Sequence, residues 1–170
     1  LQTKLHRPRV PHDLVERARL VEWLNDGIDH PLTLVCAPAG YGKTTLICTW
    51  LERMVAGRDE GASSLPSAWL SLDESDSDLV AFLRYFVAAI RTVFPESCTE
   101  SLALLQASQQ VAQMPLVIAL SGDIERLPAR CILVLDDYHI IESKPVDDAL
   151  AFLIEHSPPQ MHLVITTRED

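Results

Sequence analysis

A chain of 170 residues, 48% hydrophobic and 22% charged, holds the material for one folded domain. That composition excludes a disordered tail, a collagen-like repeat and a coiled coil. The 24 acidic and 14 basic residues leave a formal charge of −10, which opposes general nucleic-acid binding and leaves only local basic spots for a nucleotide. Cys36, Cys48, Cys98 and Cys131 form no CxxC pair, and neither they nor the histidines show zinc spacing. They read as thiols packed as small apolar groups in a reducing cytoplasm. Arg84 interrupts the longest apolar candidate, Leu79–Ile90, so no run approaches the ~20 residues of a membrane span. The N-terminus lacks the charged-then-apolar order of a signal peptide.

Taken in order, residues 1–11 are basic and carry Pro8 and Pro11, which predicts an extended arm. Asp13 and Glu16 have the spacing of a capping box, opening a helix through about Asn25 with Leu14, Leu20, Val21 and Leu24 on its apolar side. The run Leu32–Cys36 ends in a Pro/Gly-rich turn and predicts a buried parallel strand. A helix is expected over Thr45–Val55, a polar connection over Gly57–Ser64 and a second strand over Ala68–Leu72. Beyond the acidic stretch Asp73–Asp78, which reads as a loop and helix cap, Leu79, Phe82, Leu83, Phe86, Val87, Ile90, Val93 and Phe94 keep helical spacing until Pro95. Weaker helical patterns fill Glu100–Leu127, broken near Pro115. Strands at Ile132–Asp136 and His162–Thr166 flank a helix at Val146–His156. Strands alternating with helices predict a mainly parallel sheet covered on both faces. Trp23 and Trp69 read as packing residues.

Three motifs carry chemistry. Ala37-Pro-Ala-Gly-Tyr-Gly-Lys-Thr-Thr45 lies after a strand and opens a helix, where a phosphate-binding (Walker A) loop belongs. Its glycines let backbone N–H groups face phosphate oxygens, and the helix N-terminus adds partial positive charge. Ala39, Gly40, Tyr41, Gly42, Lys43, Thr44 and Thr45 are the candidate phosphate contacts. Lys43 would reach the β- and γ-phosphates, and the Thr44 hydroxyl would ligate Mg²⁺. Ala37 stands where the strict pattern has its first glycine. Second, the apolar strand ending in Asp136-Asp137 has the Walker B form, with Asp136 as the Mg²⁺ acid and Asp137 as the acid that polarises the attacking water. Third, Thr166-Thr167-Arg168 closes a strand at the edge where open α/β sheets bind ligands, and the Arg168 guanidinium suits a γ-phosphate. His139, just after the acidic pair, reads as structural.

These segments resemble a known family. Lys4-Leu-His-Arg-Pro-Arg-Val-Pro, Leu14-Val-Glu-Arg-Ala-Arg-Leu, the phosphate loop, Ala68-Trp-Leu-Ser-Leu-Asp-Glu, Phe82-Leu-Arg-Tyr, Leu133-Val-Leu-Asp-Asp-Tyr-His and Ile165-Thr-Thr-Arg-Glu-Asp are similar to the ATPase domain, of NB-ARC or STAND type, of maltose-regulator-like activators, large LuxR-family bacterial transcription regulators. The resemblance implies a P-loop NTPase fold, a three-layer α/β/α sandwich of strand order 5-1-4-3-2 whose fifth strand would lie beyond Asp170. It implies residues 1–30 as an arm and helix flanking the nucleotide and 31–170 as the NTPase core, together a fragment of a larger regulator. The arm near Val10 would flank the adenine, with Arg17 or Arg19 near the nucleotide. Both arginines equally suit exposed helix positions pairing with Glu16 or Glu22.

The expected function is that of a cytoplasmic regulatory module that binds Mg·ATP or ADP and hydrolyses ATP slowly. It would use nucleotide state to control self-association and transcription, with DNA bound only by a C-terminal domain outside this chain. A nucleotide-held interaction scaffold with negligible turnover is the alternative favoured by the short side chain of Asp137. A metabolic or DNA-processing P-loop enzyme is the third, disfavoured by the absence of a basic face. The inducer is not readable from these residues.

Overall fold

Two of the described strands are buried along nearly their whole length, polar His162, Thr166 and Asp136 included. They are Cys131–Asp136 and Met161–Thr167, here β3 and β4. The computed structural model describes residues 2–9, 17–57, 64–107, 113–156 and 158–168. The other two strands are Leu32–Cys36 (β1) and Ser67–Ser71 (β2), and the four form one parallel sheet in the order β1-β4-β3-β2. This is the expected order for the strands present. In register, Leu135 stands opposite Ile165 and Cys36 opposite Thr167, so the C-terminal ends of β1, β4 and β3 lie side by side.

Among the described residues six helices cover the sheet: α1 (Ala18–Gly27), α2 (Lys43–Val55), α3 (Leu79–Val93), α4 (Thr99–Ala107), α5 (Gln113–Glu125) and α6 (Lys144–Glu155). On one face, Val21 and Leu24 of α1 join Ile47, Trp50, Leu51 and Met54 of α2 over Ile132, Val134 and Val164. On the other, the apolar spacing of α3 buries Phe82, Leu83, Phe86 and Ile90 together with α4, α5 and α6. Alternation of side chains along β3 and β4 feeds both cores, as a sheet covered on two sides requires.

Several expectations need correction. The apolar run alone predicts burial of β1, but the family strand order, with its fifth strand beyond Asp170, leaves it an open edge, and so it stands: Leu34 is 58% exposed, and Cys36 is exposed while the other three thiols are buried. Trp23 is exposed and carries the Arg19 guanidinium 4.9 Å above its ring, so only Trp69 of that pair packs inside. Pro115 does not break a helix. It lies in the first turn of α5, where its missing N–H has no intrahelical acceptor to lose. The helix after the arm has Arg17 at its N-cap, and the Asp13–Glu16 pair lies outside the described residues. The arm is not extended throughout: Gln2–Leu5 forms a 3₁₀ turn packed against β2 and α3.

That turn is held by one cation. Lys4 Nζ lies 2.8 and 3.0 Å from the two oxygens of Asp76, a fully buried carboxylate, and 2.8 Å from Asp73. It also sits 4.6 Å above the Tyr85 ring. The acidic stretch is the expected cap and more: Asp73 and Asp76 form a capping box around the 3₁₀ turn Glu74–Ser77, and Asp78 accepts from Ala81 N to cap α3. At the opposite end of the sheet, His162 is fully buried, with Nδ1 2.6 Å from the His30 carbonyl and Nε2 3.1 Å from Thr33 Oγ. The carbonyl can only accept, so Nδ1 donates, and burial, which lowers the ring's pKa, favours the neutral form with Nε2 accepting from Thr33.

Candidate nucleotide site

The loop between β1 and α2 turns on two glycines, Gly40 at φ 80° and Gly42 at φ 76°, both left-handed. A Cβ at Gly40 would meet nothing within 4 Å, so the backbone conformation rather than crowding calls for glycine there. Ala37 is not among the described residues with positive φ, so alanine in place of the usual first glycine is unstrained. Gly42 is the N-cap of α2, and Lys43, Thr44 and Thr45 form its first turn, where backbone N–H groups lack intrahelical acceptors. Ala39, Gly40 and Tyr41 are exposed on the curl of the loop.

Lys43 is buried, its Nζ donating to the carbonyls of Ala37 at 2.7 Å and Pro38 at 3.1 Å. Its ammonium therefore lies inside the curl of the loop. The Thr44 hydroxyl donates to the Asp136 carboxylate, 3.1 Å from each oxygen. Asp136, at the end of β3, also accepts from Thr166 Oγ at 2.6 Å. Burial pushes the Asp136 carboxyl above its usual range; Thr166 and Thr44 draw it down, and the neighbouring Asp137 charge pushes it up. Hydroxyl and carboxylate oxygens are the donors that Mg²⁺ takes from proteins, commonly with waters and substrate phosphates filling the remaining positions, so these two residues fit the ion.

Asp137 follows in the left-handed region (φ 62°), with its N–H donated to Thr166 Oγ at 2.9 Å. Its carboxylate reaches out from the sheet edge. Asp137 begins a short 3₁₀ turn, Tyr138–Ile140, that is tied to α6 by Tyr138 Oη donating to Asp147 at 2.5 Å. His139 Nδ1 lies 3.8 Å from Asp137 Oδ1 and has no hydrogen-bond partner among the described residues.

Arg168 follows β4 directly and is exposed beside the loop, because the carbonyl of Thr167 accepts from Ala37 N at 3.5 Å. Of the two helix arginines, Arg17 is the one at the site: its Nη1 donates to the Tyr41 carbonyl at 2.9 Å. Arg19 turns away onto Trp23. Val10 lies outside the described residues. A cavity of about 330 Å³ adjoins the loop, lined mainly by apolar side chains including Leu20, Trp23, Leu34 and Leu46, with Arg17 at its rim. The structure thus gathers the loop, Asp136 and Asp137, brings Arg17 to the loop and sets Arg168 at its flank. Sequence reasoning missed Thr166 as a site residue, and only its place two residues before Arg168 on the same strand hinted at it.

Comparison with known proteins accords with this geometry. The HTH-type transcriptional regulator MalT of Klebsiella pneumoniae is 36% identical over 169 residues, and MalT of Yersinia pestis (strain Pestoides F) is 34% identical over 168. Each match takes in 99% of this chain and 18% of the relative, so the chain spans 18% of the length of these curated relatives. The crystal structure of Cdc6p from Pyrobaculum aerophilum superposes with a TM-score of 0.61 at 13% identity, over 97% of this chain and 42% of that one. That likeness concerns the fold alone, and the α/β class with its parallel P-loop NTPase sheet is shared. No helix among the described residues is long and apolar enough to cross a membrane. A family model described as Nephrocystin 3, N-terminal, matches residues 12–168, so the chain belongs to that family, and it is homologous to the MalT regulators along nearly its whole length.

Proposed function

We propose that this chain is the nucleotide-binding regulatory module of a STAND-type transcription activator, binding Mg·ATP or ADP at the loop Ala39–Thr45 and hydrolysing ATP slowly. The observation that carries the reading is the meeting of Thr44 with Asp136, 3.1 Å apart, beneath a loop whose two left-handed glycines precede a helix N-terminus. Backbone N–H groups of that turn and the Lys43 ammonium would hold the phosphates. Mg²⁺, held by Thr44 and Asp136, would neutralise developing charge on the phosphates. Asp137 orients and polarises the attacking water, and Arg168 contacts the γ-phosphate. The cavity beside Tyr41–Lys43 adjoins the phosphate loop, with its rim at Arg17, and it receives the nucleoside.

The MalT relatives are transcriptional regulators by name, which supports a switch role in which nucleotide state sets self-association in the whole protein, in the cytoplasm, with DNA contacted by another domain. The arm and helix of residues 1–30 would then flank the nucleotide, and residues 31–170 form its core.

The test is thermal melting with Mg·ATP and Mg·ADP. At a hundredfold excess over Kd, either nucleotide should stabilise the protein by about 2.7 kcal/mol. Lys43→Ala should abolish the gain. An undiminished shift in that variant would place the nucleotide elsewhere.

A further inference from the structure

Thr166 is fully buried in β4, yet its hydroxyl does not turn back onto its own strand. It crosses to the end of β3 and makes two hydrogen bonds there. It donates to Asp136 Oδ1 at 2.6 Å and accepts the backbone N–H of Asp137 at 2.9 Å. One proton and one lone pair are thus spent on two consecutive acids. The register explains how: Leu135 is opposite Ile165, so the next step along each strand brings Asp136 and Thr166 together.

Both contacts sit where position matters. Asp136 also accepts from Thr44, but at 3.1 Å, and Thr44 is the hydroxyl that a Mg-nucleotide would draw on. The shorter contact from Thr166 comes from inside the sheet, away from solvent. Asp137 adopts a left-handed backbone that a side chain enters only at a cost, so something must hold it. Its N–H bond to Thr166 is one such restraint, and the 3₁₀ turn that follows is the other. A valine would fill the same space and supply neither bond.

We infer that Thr166 is a positioning residue for hydrolysis: its hydroxyl fixes the Asp136 carboxylate and the Asp137 backbone together, so that the Asp137 carboxylate is aimed at the attacking water. This rests on the nucleotide-hydrolysing reading above. The role is distinct from that of Arg168, which follows the same strand and is proposed above to contact the γ-phosphate.

The experiment compares Thr166→Val and Thr166→Ser with the parent in the intact protein. Four quantities are read: ATP affinity by titration, kcat and KM for phosphate release, and hydrogen exchange of the Asp137 amide without nucleotide. Thr166→Val should lower kcat roughly tenfold or more, because a small misplacement of a catalytic group is expensive, while KM and ATP affinity move less than about threefold. Thr166→Ser should restore the rate to within about threefold of the parent. The Asp137 amide should exchange faster in the valine variant and be protected again in the serine variant. Should the valine variant not fold, Thr166→Cys, close in size with a weak donor and acceptor, should show an intermediate kcat. Parent-like kcat in the valine variant overturns the inference. So does a joint loss of rate and affinity that serine does not repair, since that marks a purely structural residue. A parent that binds Mg·ATP without turnover, or does not bind it, overturns the hydrolytic reading instead; Asp137 exchange shows separately whether the bridge forms.

Discussion

Replacing Lys4 with methionine removes the ammonium and keeps much of the stem that packs beside Tyr85, so it isolates the charge. The loss can be worked from the surroundings of Asp76. That carboxylate is 0% exposed and takes both close contacts from Lys4. Breaking a buried ion pair by removing one partner costs about 3–5 kcal/mol, because the remaining charge is stranded. Two features reduce the figure. Asp76 keeps the backbone N–H of Asp73 at 2.9 Å, and the Lys4 side chain is 16% exposed, so water can follow once the arm loosens. A loss of about 2–3 kcal/mol is the expected result, well above the ~0–1 kcal/mol of an exposed pair. In urea, with a slope of about 1.5–2 kcal/mol/M, the midpoint should fall by about 1–2 M without a change in slope. Asp76→Asn removes the stranded charge, so the double variant should lose clearly less than the sum of the two singles, with a coupling of at least ~1.5 kcal/mol. The deficit also has a pH signature. Hydrogen bonds from Lys4 and Ser75 hold the Asp73 carboxyl at about 2. A carboxyl depressed in the folded state stabilises above its unfolded pKa and loses that contribution as pH falls through the folded value. The Lys4→Met deficit should therefore shrink as pH drops from about 4 toward 2. A midpoint shift under about 0.3 M with no coupling would refute the reasoning and reduce the clamp to a surface contact.

Arg168→Ala should weaken ATP binding by roughly ten- to a hundredfold and ADP binding by less than about threefold, since a charge-assisted contact to the γ-phosphate alone is worth about 1.5–3 kcal/mol; equal losses in parallel titrations would make it a general phosphate or structural contact. His162 makes a different prediction. Burial holds its pKa below the usual value, with the His30 carbonyl opposing and the nearby Arg130 and His30 adding to the depression against Asp29. The unfolded chain therefore takes up this proton first as pH falls below about 6.5, so stability is full above that value and declines below it. His162→Gln should flatten the fall in denaturation midpoint between pH 7 and 5, and an unchanged slope would remove His162 as its source.

The parallel sheet and the meeting of the loop with Asp136 were legible from local signals, namely apolar runs, a glycine turn and a helix start, whereas the strand order came only from the family resemblance. What was not legible depends on partners far along the chain. Lys4 finds Asp76 across 72 positions, and nothing in an arm rich in proline and arginine marks that pairing. The apolar run of β1 alone predicts burial, and its open side followed only from the strand order that the resemblance implies. Trp23 fell on the solvent side of α1 because Val21 and Leu24 take the inward face. Arg17 and Arg19 are two residues apart at a helix start, and only the fold shows that Arg17 reaches the Tyr41 carbonyl of the loop. Thr166 was visible as a polar residue at a strand end, but its role needed the register between β3 and β4.

The left-handed backbone at Asp137 bears on which amino acids that position can hold. Asparagine, aspartate and glycine enter this region with least penalty, since a short polar side chain can bond locally. Glutamate, which would carry a carboxylate further into the cleft, lacks that advantage. Lengthening the acid by one methylene would thus disturb the main chain at the same step as it moved the oxygens. Asparagine keeps the shape and discards the charge. On the proposed hydrolytic role of Asp137, that single exchange would remove turnover while keeping the turn and the bridge to β4.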